Sequence, residues 1–340
     1  MTSRERVLSA LHHQKPDRVP VHADFTRIVA QRLARHLGCD SSWVGEELGN
    51  DLIILPPVSF VPAMAVEEFD EYTDEWGIKW KKVGNYYERT NFPFQNLADL
   101  DSARMPDPGE VSRYAGMENT IQKHSATHMV MGNVTITIFE RAWWLRGMEK
   151  FLEDMILNPE YASRLLDMAM EFSLAAALKL VGMGVDILWL GDDVGMQETM
   201  LISPQLWRKY LKPRYARFVE TVRQIDRDVY IAYHSDGYIE PIIDELIEIG
   251  IQILNPIQPQ CMDPAQIKKR YGKNLVLWGL VDVQKTLPFG TPGDVADEVR
   301  LRIRTAGNNG GLILSPAHYI QADTPIENIF AFYETASKYG

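Results

Sequence analysis

His234 and Asp236 are two residues whose types and spacing could build a metal site. They lie two apart, directly after the apolar run 229–232, and residues i and i+2 of an extended segment face the same side. A second imidazole, His318, follows another apolar run at 311–314. If both runs are strands, these polar groups lie at strand ends, where barrel enzymes keep their chemistry.

Two imidazoles and one carboxylate suit zinc and leave a fourth coordination position for substrate. The spacing therefore predicts a zinc ion bound by His234, Asp236 and His318. The alternative is that both histidines are buried and hydrogen-bonded, to Asp236 and Asp193, without any metal. The spacing alone leaves both interpretations open.

Other polar groups also follow apolar runs and are candidates for catalysis or substrate binding. Asp192 and Asp193 are adjacent, so one can face a cavity while the other turns back to cap a helix. We predict catalytic roles for Asp193 and His234. Substrate contacts are predicted from six carboxylate and amide side chains: Asn133, Asp192, Gln197, Asn255, Gln258 and Asp282. The alternative is that these residues form ordinary caps and turns, as Asp and Asn often do.

The elements that must position these groups are eight short apolar runs followed by turn residues. Their length and β-branched content favour strands, at 19–24, 51–55, 129–134, 185–190, 229–232, 251–254, 275–278 and 311–314. Helical patterns lie between most of them, at 159–181, 203–224, 241–249, 263–270, 291–306 and 324–337. This alternation predicts a (β/α)8 TIM barrel. A doubly wound open sheet is the competitor, but the count of eight and the lack of a Gly-x-Gly-x-x-Gly turn favour the barrel.

One long segment interrupts this alternation. Residues from about 56 to 110 are too many for a loop, and 76–82 and 86–90 flank Val83-Gly-Asn85 in the pattern of a hairpin. We interpret the segment as an insertion after the second strand, on the active-site face, within one domain that spans residues 1–340.

Composition narrows the functional class. The chain has 340 residues and a formal net charge of -11, which argues against nucleic acid and anionic membranes as partners. Its two cysteines, Cys39 and Cys261, cannot form a disulfide framework. The chain has no apolar run of about 18 residues, and its first residues lack a signal-peptide pattern. We therefore expect a cytoplasmic protein.

Several segments together give the chain a family resemblance. It resembles the uroporphyrinogen decarboxylase superfamily over nearly its whole length. The segments that carry the resemblance are 3–11, 16–21, 234–237, 253–258, 278–279 and 310–318. The resemblance implies the same barrel fold and either decarboxylation or cobamide-dependent methyl transfer.

The start of the chain departs from the decarboxylase pattern. That branch has a loop resembling Arg-Gln-Ala-Gly-Arg, whose arginines hold substrate carboxylates. The equivalent stretch here is His22-Ala-Asp-Phe-Thr-Arg27, without the paired arginines. A highly carboxylated substrate would find little positive charge.

The methyltransferase branch fits better, with one departure. Its coenzyme M members hold zinc through a His-x-Cys pair and a later Cys, which look equivalent to His234, Asp236 and His318. The nitrogen and oxygen set implies an oxygen-bearing substrate. The chain is then similar to the first methyltransferase of anaerobic O-demethylases, which moves a methyl group from a methoxylated, aromatic compound to a separate corrinoid protein.

Two alternatives accompany this interpretation. One is a metal-independent decarboxylase acting on a smaller carboxylic acid, with Asp193 or Asp24 steering protons. The other is a non-catalytic, corrinoid-binding subunit, against which the set of His and Asp at the strand ends argues. The sequence leaves the methyl donor open, and also whether the protein forms a homodimer.

Overall fold

Ten strands are present in the computed structural model, which describes residues 1–59, 70–83 and 86–340. They are β1 Leu52–Ile54, β2 Glu71–Thr73, β3 Lys79–Val83, β4 Tyr86–Arg89, β5 Met129–Thr135, β6 Ile187–Gly191, β7 Tyr230–His234, β8 Ile253–Ile257, β9 Val276–Val281 and β10 Leu312–Pro316. Seven of them form a parallel sheet in the order β1-β5-β6-β7-β8-β9-β10. Because every neighbouring pair is parallel, the carboxyl ends of all seven strands lie at one edge.

Helices connect and cover these strands. The α-helices are α1 Ser3–Leu11, α2 Arg27–Leu37, α3 Val44–Leu48, α4 Met117–His124, α5 Phe139–Arg146, α6 Met148–Leu157, α7 Pro159–Gly182, α8 Pro204–Tyr210, α9 Lys212–Ile225, α10 Ile243–Glu248, α11 Pro264–Tyr271, α12 Thr286–Phe289, α13 Pro292–Arg302 and α14 Ile326–Tyr339. Shorter turns of 3₁₀-helix lie at Ser41–Trp43, Leu97–Ser102, Val111–Tyr114 and Glu240–Ile242, and Ile303–Gly307 is a π-helical turn. The helix predicted at 203–224 is two helices, because Pro213 near the start of α9 has no N–H to continue the ladder of α8. Among the described residues, no helix is both long and apolar enough to span a bilayer.

The barrel closes without a regular eighth strand. The segment predicted as the first strand, 19–24, makes a single parallel bridge between Val21 and Leu314. The N–H of His22 donates to the Leu314 carbonyl at 3.0 Å, and the N–H of Leu314 donates to the Pro20 carbonyl at 2.8 Å. On the other side, the N–H of Asp51 donates to the Val21 carbonyl. The prediction of a (β/α)8 barrel is confirmed. Its first strand is corrected to a bridging segment, because Pro20 cannot donate to a ladder.

A buried carboxylate holds this closure. Asp51 is fully buried, and its carboxylate accepts hydrogen bonds from Arg6 Nη1 at 2.7 Å and Arg18 Nη1 at 2.7 Å. It also accepts the N–H of Val21 at 2.8 Å. One side chain at the start of β1 therefore ties together α1, the bridging segment and the sheet.

The amino-terminal end of the barrel is filled with apolar side chains. Val7 and Leu11 of α1 belong to the cluster inside the barrel, together with Met129 and Ile187 at the starts of their strands. The opposite end is lined by polar and aromatic groups. A ligand site is therefore expected only at the carboxyl ends of the strands, as in other barrels.

The inserted segment packs onto the barrel through arginine side chains. Strands β2, β3 and β4 form a separate antiparallel sheet, and the predicted turn at 84–85 lies outside the described residues. The guanidinium of Arg89 in β4 lies 4.4 Å from the Trp143 ring centre and 4.5 Å from that of Trp144, both in α5. Buried Arg113 binds both carboxylate oxygens of Glu75. The insertion is thus fixed against α5, the helix that follows β5.

Candidate functional site

A cavity of about 260 Å³ opens at the carboxyl ends of the strands. Its floor is formed by Trp189 of β6 and Trp278 of β9, whose ring centres are 4.9 Å apart. Because inward-pointing residues of a barrel strand alternate with outward-pointing ones, one ring from each strand lies in the interior. The polar groups around this floor include Asp24, Asn133, Glu140, His234, Asn255 and His318.

His234 is held in one orientation at the end of β7. Its Nδ1 lies 2.7 Å from the Asn255 side-chain oxygen at the end of β8. An amide oxygen only accepts, so Nδ1 carries the hydrogen and Nε2 is left for a metal or a ligand. Burial lowers the pKa of this imidazole, but the charges of Asp236 and Asp193 outweigh it and the pKa is raised.

Asp193, His234 and Asp236 form the cluster that could hold a metal. One ligand atom from each lies within 4.8 Å of the others. The backbone N–H of Asp236 donates to Asp193 Oδ1 at 2.8 Å, which fixes the two carboxylates beside each other. Asp236 Oδ1 is buried without a hydrogen-bond partner. An imidazole and two carboxylates with such an orphaned oxygen match the ligand set of zinc.

Close contact between β6 and β7 brings this cluster together. Gly191 pairs with His234 across the sheet. A Cβ at Gly191 would lie 2.4 Å from the His234 carbonyl oxygen, so only glycine permits this approach. Asp193, two residues after Gly191, is thereby placed beside the imidazole, with Oδ1 at 3.5 Å from Nε2.

His318 lies next to the cluster, not within it. Its Nε2 is 3.6 Å from Asp236 Oδ2, and its side chain is 43% exposed. The prediction had His318 as the third ligand, whereas the residue whose ligand atom lies within 4.8 Å of those of His234 and Asp236 is Asp193.

Asp192 turns away from the cavity. It is fully buried, and its carboxylate accepts the N–H groups of Ile138 at 2.9 Å and Glu140 at 2.9 Å, and the hydroxyl of Tyr215. It therefore positions the start of α5 instead of contacting substrate, which corrects one prediction. The expected division between the two adjacent carboxyls is observed, with Asp193 facing the cluster. Burial raises the pKa of Asp192 to about 6.

The raised pKa of Asp192 predicts a pH-dependent stability difference. The folded state holds the proton more tightly than the unfolded state, so ionisation between about pH 4 and about pH 6 lowers the free energy of unfolding. Asp192→Asn cannot ionise. The stability advantage of the wild type over this variant should therefore shrink by about 3 kcal/mol as the pH rises through that window. Denaturant unfolding of chelator-treated protein at several pH values measures the difference, and an advantage that grows with pH would contradict the assignment.

Two of the predicted substrate contacts line the cavity. Asn133 in β5 and Asn255 in β8 both face it. The Asn133 side-chain oxygen accepts the N–H and hydroxyl of Thr135, so its amide nitrogen remains for a ligand.

The other three predicted contacts lie elsewhere. Gln258 accepts the N–H of Gly237 at 3.1 Å and braces the loop that carries Asp236. Gln197 is exposed and donates to a backbone carbonyl at 3.3 Å. Asp282 caps α12, accepting the N–H of Gln284 at 2.7 Å. For Gln197 and Asp282 the ordinary alternative of turn and cap therefore describes the structure.

Glu140 is a cavity residue that the sequence prediction missed. It is the second residue of α5, lines the cavity, and its carboxylate accepts the N–H of Asp193 at 3.2 Å. Burial raises its pKa well above the usual range, with further increases from the charges of Asp193 and Asp192. The available signal was an acidic residue within the apolar run 138–145. The prediction considered strand ends and overlooked the helix that follows.

Comparisons with known proteins give a consistent assignment. A family model described as uroporphyrinogen decarboxylase (URO-D) matches residues 85–339. A methylcobamide:CoM methyltransferase MtaA from Methanosarcina barkeri is 26% identical over 195 residues, which cover 57% of this chain and 54% of that protein. A uroporphyrinogen decarboxylase from Microcystis aeruginosa is 25% identical over 138 residues, covering 41% of this chain and 38% of the relative. The matches thus span about half the length of these curated relatives or less.

A solved structure shares the fold over its whole length. The structure of a methyltransferase from Methanosarcina mazei superposes with a TM-score of 0.77 at 22% sequence identity, covering 100% of this chain and 99% of that one. At this level of sequence identity, the match supports the fold alone.

Proposed function

We propose, for a chain that belongs to the uroporphyrinogen decarboxylase (URO-D) family, that it moves a methyl group from a methoxylated aromatic compound to the cobalt(I) of a separate corrinoid protein. The observation that carries this proposal is the cluster of Asp193, His234 and Asp236 beside a cavity floored by two indole rings. The name of the Methanosarcina barkeri relative, a methylcobamide:CoM methyltransferase, supports a corrinoid as the methyl carrier.

The donor atoms of the cluster favour an ether over a thiol. Nitrogen and carboxylate oxygen are harder ligands than thiolate, and an ion held by them suits an oxygen-bearing substrate. Zinc bound there would supply positive charge to the ether oxygen as the methyl–oxygen bond breaks. His234, Asp193 and Asp236 would be its ligands, with His318 beside Asp236.

The chain's own residues would orient the donor and supply a proton. Asn255 fixes the His234 ring, and the two indole rings offer a flat surface for an aromatic ring. As the methyl group passes to cobalt(I), the oxygen leaves with the bonding electron pair and needs one proton. Glu140 lines the cavity and its raised pKa lets it hold a proton, so it can deliver that proton to the leaving oxygen, while Asp193 would serve as a zinc ligand.

Methyl transfer is tested directly with purified components. The zinc-loaded protein is mixed with a corrinoid protein reduced to cobalt(I) and a set of methoxyarenes. Loss of the cobalt(I) absorbance and stoichiometric formation of the free phenol are expected. Absence of transfer from any ether, amine or thiol donor would rule the proposal out.

A second candidate is decarboxylation of a small carboxylic acid without a metal. Asp24 lines the cavity, where a carboxyl group could steer protons. Release of carbon dioxide by chelator-treated protein, with no methyl transfer, would favour this candidate.

A further inference from the structure

Carboxyl groups surround the proposed site. Asp24 and Glu140 line the cavity, and Asp193 and Asp236 lie beside His234, which also lines it. Because the pKa of Glu140 is raised, the negative charge that a ligand in the cavity meets comes chiefly from Asp24. Asp24 also contacts the buried imidazole of His22, with Oδ1 at 3.2 Å from Nε2. Among the residues that the structure describes, no lysine or arginine lines this cavity.

An adjoining cavity is also lined by acidic side chains. A second cavity of about 410 Å³ shares Asp24 as a lining residue and is also bordered by Glu46. Within the described part of the chain it too is lined by no lysine or arginine. The stretches outside that part, 60–69 and 84–85, contain neither residue type in their sequence.

Arg89 and Arg141 are cations whose charges reach Glu140, but both are held outside the cavity. Arg141 is buried and donates to the Ser59 carbonyl at 2.8 Å. The Arg89 guanidinium stacks on Trp143 and Trp144 at 4.4 and 4.5 Å. Turning it toward a ligand would sacrifice these cation–π contacts and a third one to Trp80 at 5.4 Å. Arg89 therefore fastens the insertion and is not available to an anionic ligand.

The shape and the floor of the cavity suit a single aromatic ring. Its volume of about 260 Å³ lies just below the range of about 300–1,000 Å³ in which drug-sized ligands bind. Trp189 and Trp278 present apolar faces to whatever occupies it. An ionised acid group on such a ring would lose its hydration, and Asp24 would repel it. The positive charge available nearby, on His234 or on a zinc ion, is already balanced by Asp193 and Asp236.

We propose that the site selects methoxyarenes that carry no ionised acid group and discriminates against methoxylated carboxylates. The selectivity comes from the acidic lining around Trp189 and Trp278, above all from Asp24. This inference rests on the proposed function, because it names the class of its methyl donor.

An isosteric pair of ligands tests the selectivity by binding alone. Calorimetric titration with 4-methoxybenzamide and 4-methoxybenzoate, in the absence of corrinoid protein, compares two molecules that differ mainly in charge. The chelator-treated protein should bind the amide at least about tenfold more tightly than the carboxylate. The zinc-loaded protein is titrated in parallel, because a bound cation can attract the carboxylate and reduce the ratio of the two dissociation constants.

Charge-neutral variants identify the residue responsible. Asp24→Asn should reduce the ratio of the two dissociation constants at least about threefold, mainly by improving carboxylate binding. Asp297→Asn removes a charge from an aspartate that is 77% exposed on α13 and should leave the ratio unchanged. Equal or tighter binding of the carboxylate by chelator-treated wild type, or binding of neither ligand, would overturn the inference.

The proposed methyl transfer and the proposed charge selectivity can be rejected separately. Selective binding of the amide without methyl transfer to cobalt(I) would leave the charge selectivity standing and reject the proposed reaction. Equal binding of both ligands, followed by methyl transfer from both, would reject the selectivity and keep the reaction.

Discussion

Replacing His234 with alanine should remove the bound zinc and lower the rate of methyl transfer at least about a hundredfold. The reason is that His234 offers the cluster's imidazole, and its Nε2 faces Asp193 at 3.5 Å while Nδ1 is engaged by Asn255. Without the imidazole, two carboxylates remain, one ligand fewer than the three protein ligands of a catalytic zinc site. Metal content by mass spectrometry and single-turnover methyl transfer measure the two effects.

Two further variants make this test specific. Asn255→Ala keeps the imidazole but removes the group that orients it, so zinc affinity should fall about 10- to 100-fold. His36→Ala removes an exposed imidazole from the outer face of α2 and should change neither zinc content nor rate. Full zinc occupancy in His234→Ala would show that His234 is not a ligand.

Asp51→Ala should lower the free energy of unfolding by about 3–5 kcal/mol, because a buried carboxylate is lost while its partners stay buried. Arg18 would lose its carboxylate partner, Arg6 would keep only Asp17, and the N–H of Val21 would lose its acceptor. These groups hold the bridging segment between β10 and β1, so the substitution weakens the closure of the barrel. Equilibrium unfolding in denaturant measures the change.

The matched control for Asp51 is Asp17. It also binds Arg6, with Nε 2.7 Å from Oδ1, but its side chain is 41% exposed. Exposed ion pairs contribute about 0–1 kcal/mol, so Asp17→Ala should cost no more than that. Equal losses in the two variants would show that burial of Asp51 does not set its contribution.

The sequence by itself predicted the barrel because strands buried on both faces must be continuous apolar runs. The run predicted at 185–190 is β6 at Ile187–Gly191, and the run at 251–254 begins β8 at Ile253–Ile257. Local chemistry also located helix starts, since a capping side chain and a proline act over one turn. Ser203 accepts the N–H of Leu206, as its place before Pro204 predicted.

Proximity along the chain likewise predicted two of the three members of the cluster. His234 and Asp236 lie two residues apart and do converge, because an extended backbone leaves them on one side. Nothing in their spacing, however, could identify the third member of the cluster. Asp193 joins them because β6 pairs with β7 and Gly191 permits close contact, which is a property of the assembled sheet.

Tertiary packing decided the remaining roles. Asp192 and Asp193 are chemically identical neighbours. Hydrogen bonds from the buried hydroxyl of Tyr215 and from the start of α5 determine that Asp192 is the one that turns away from the cavity. Glu140 reaches the cavity because α5 folds back over the strand ends. Short-range patterns thus determined which segments become strands and helices, since backbone hydrogen bonding and capping act locally. The composition and charge of the site depended on contacts between residues far apart in the chain, which form only when the barrel closes.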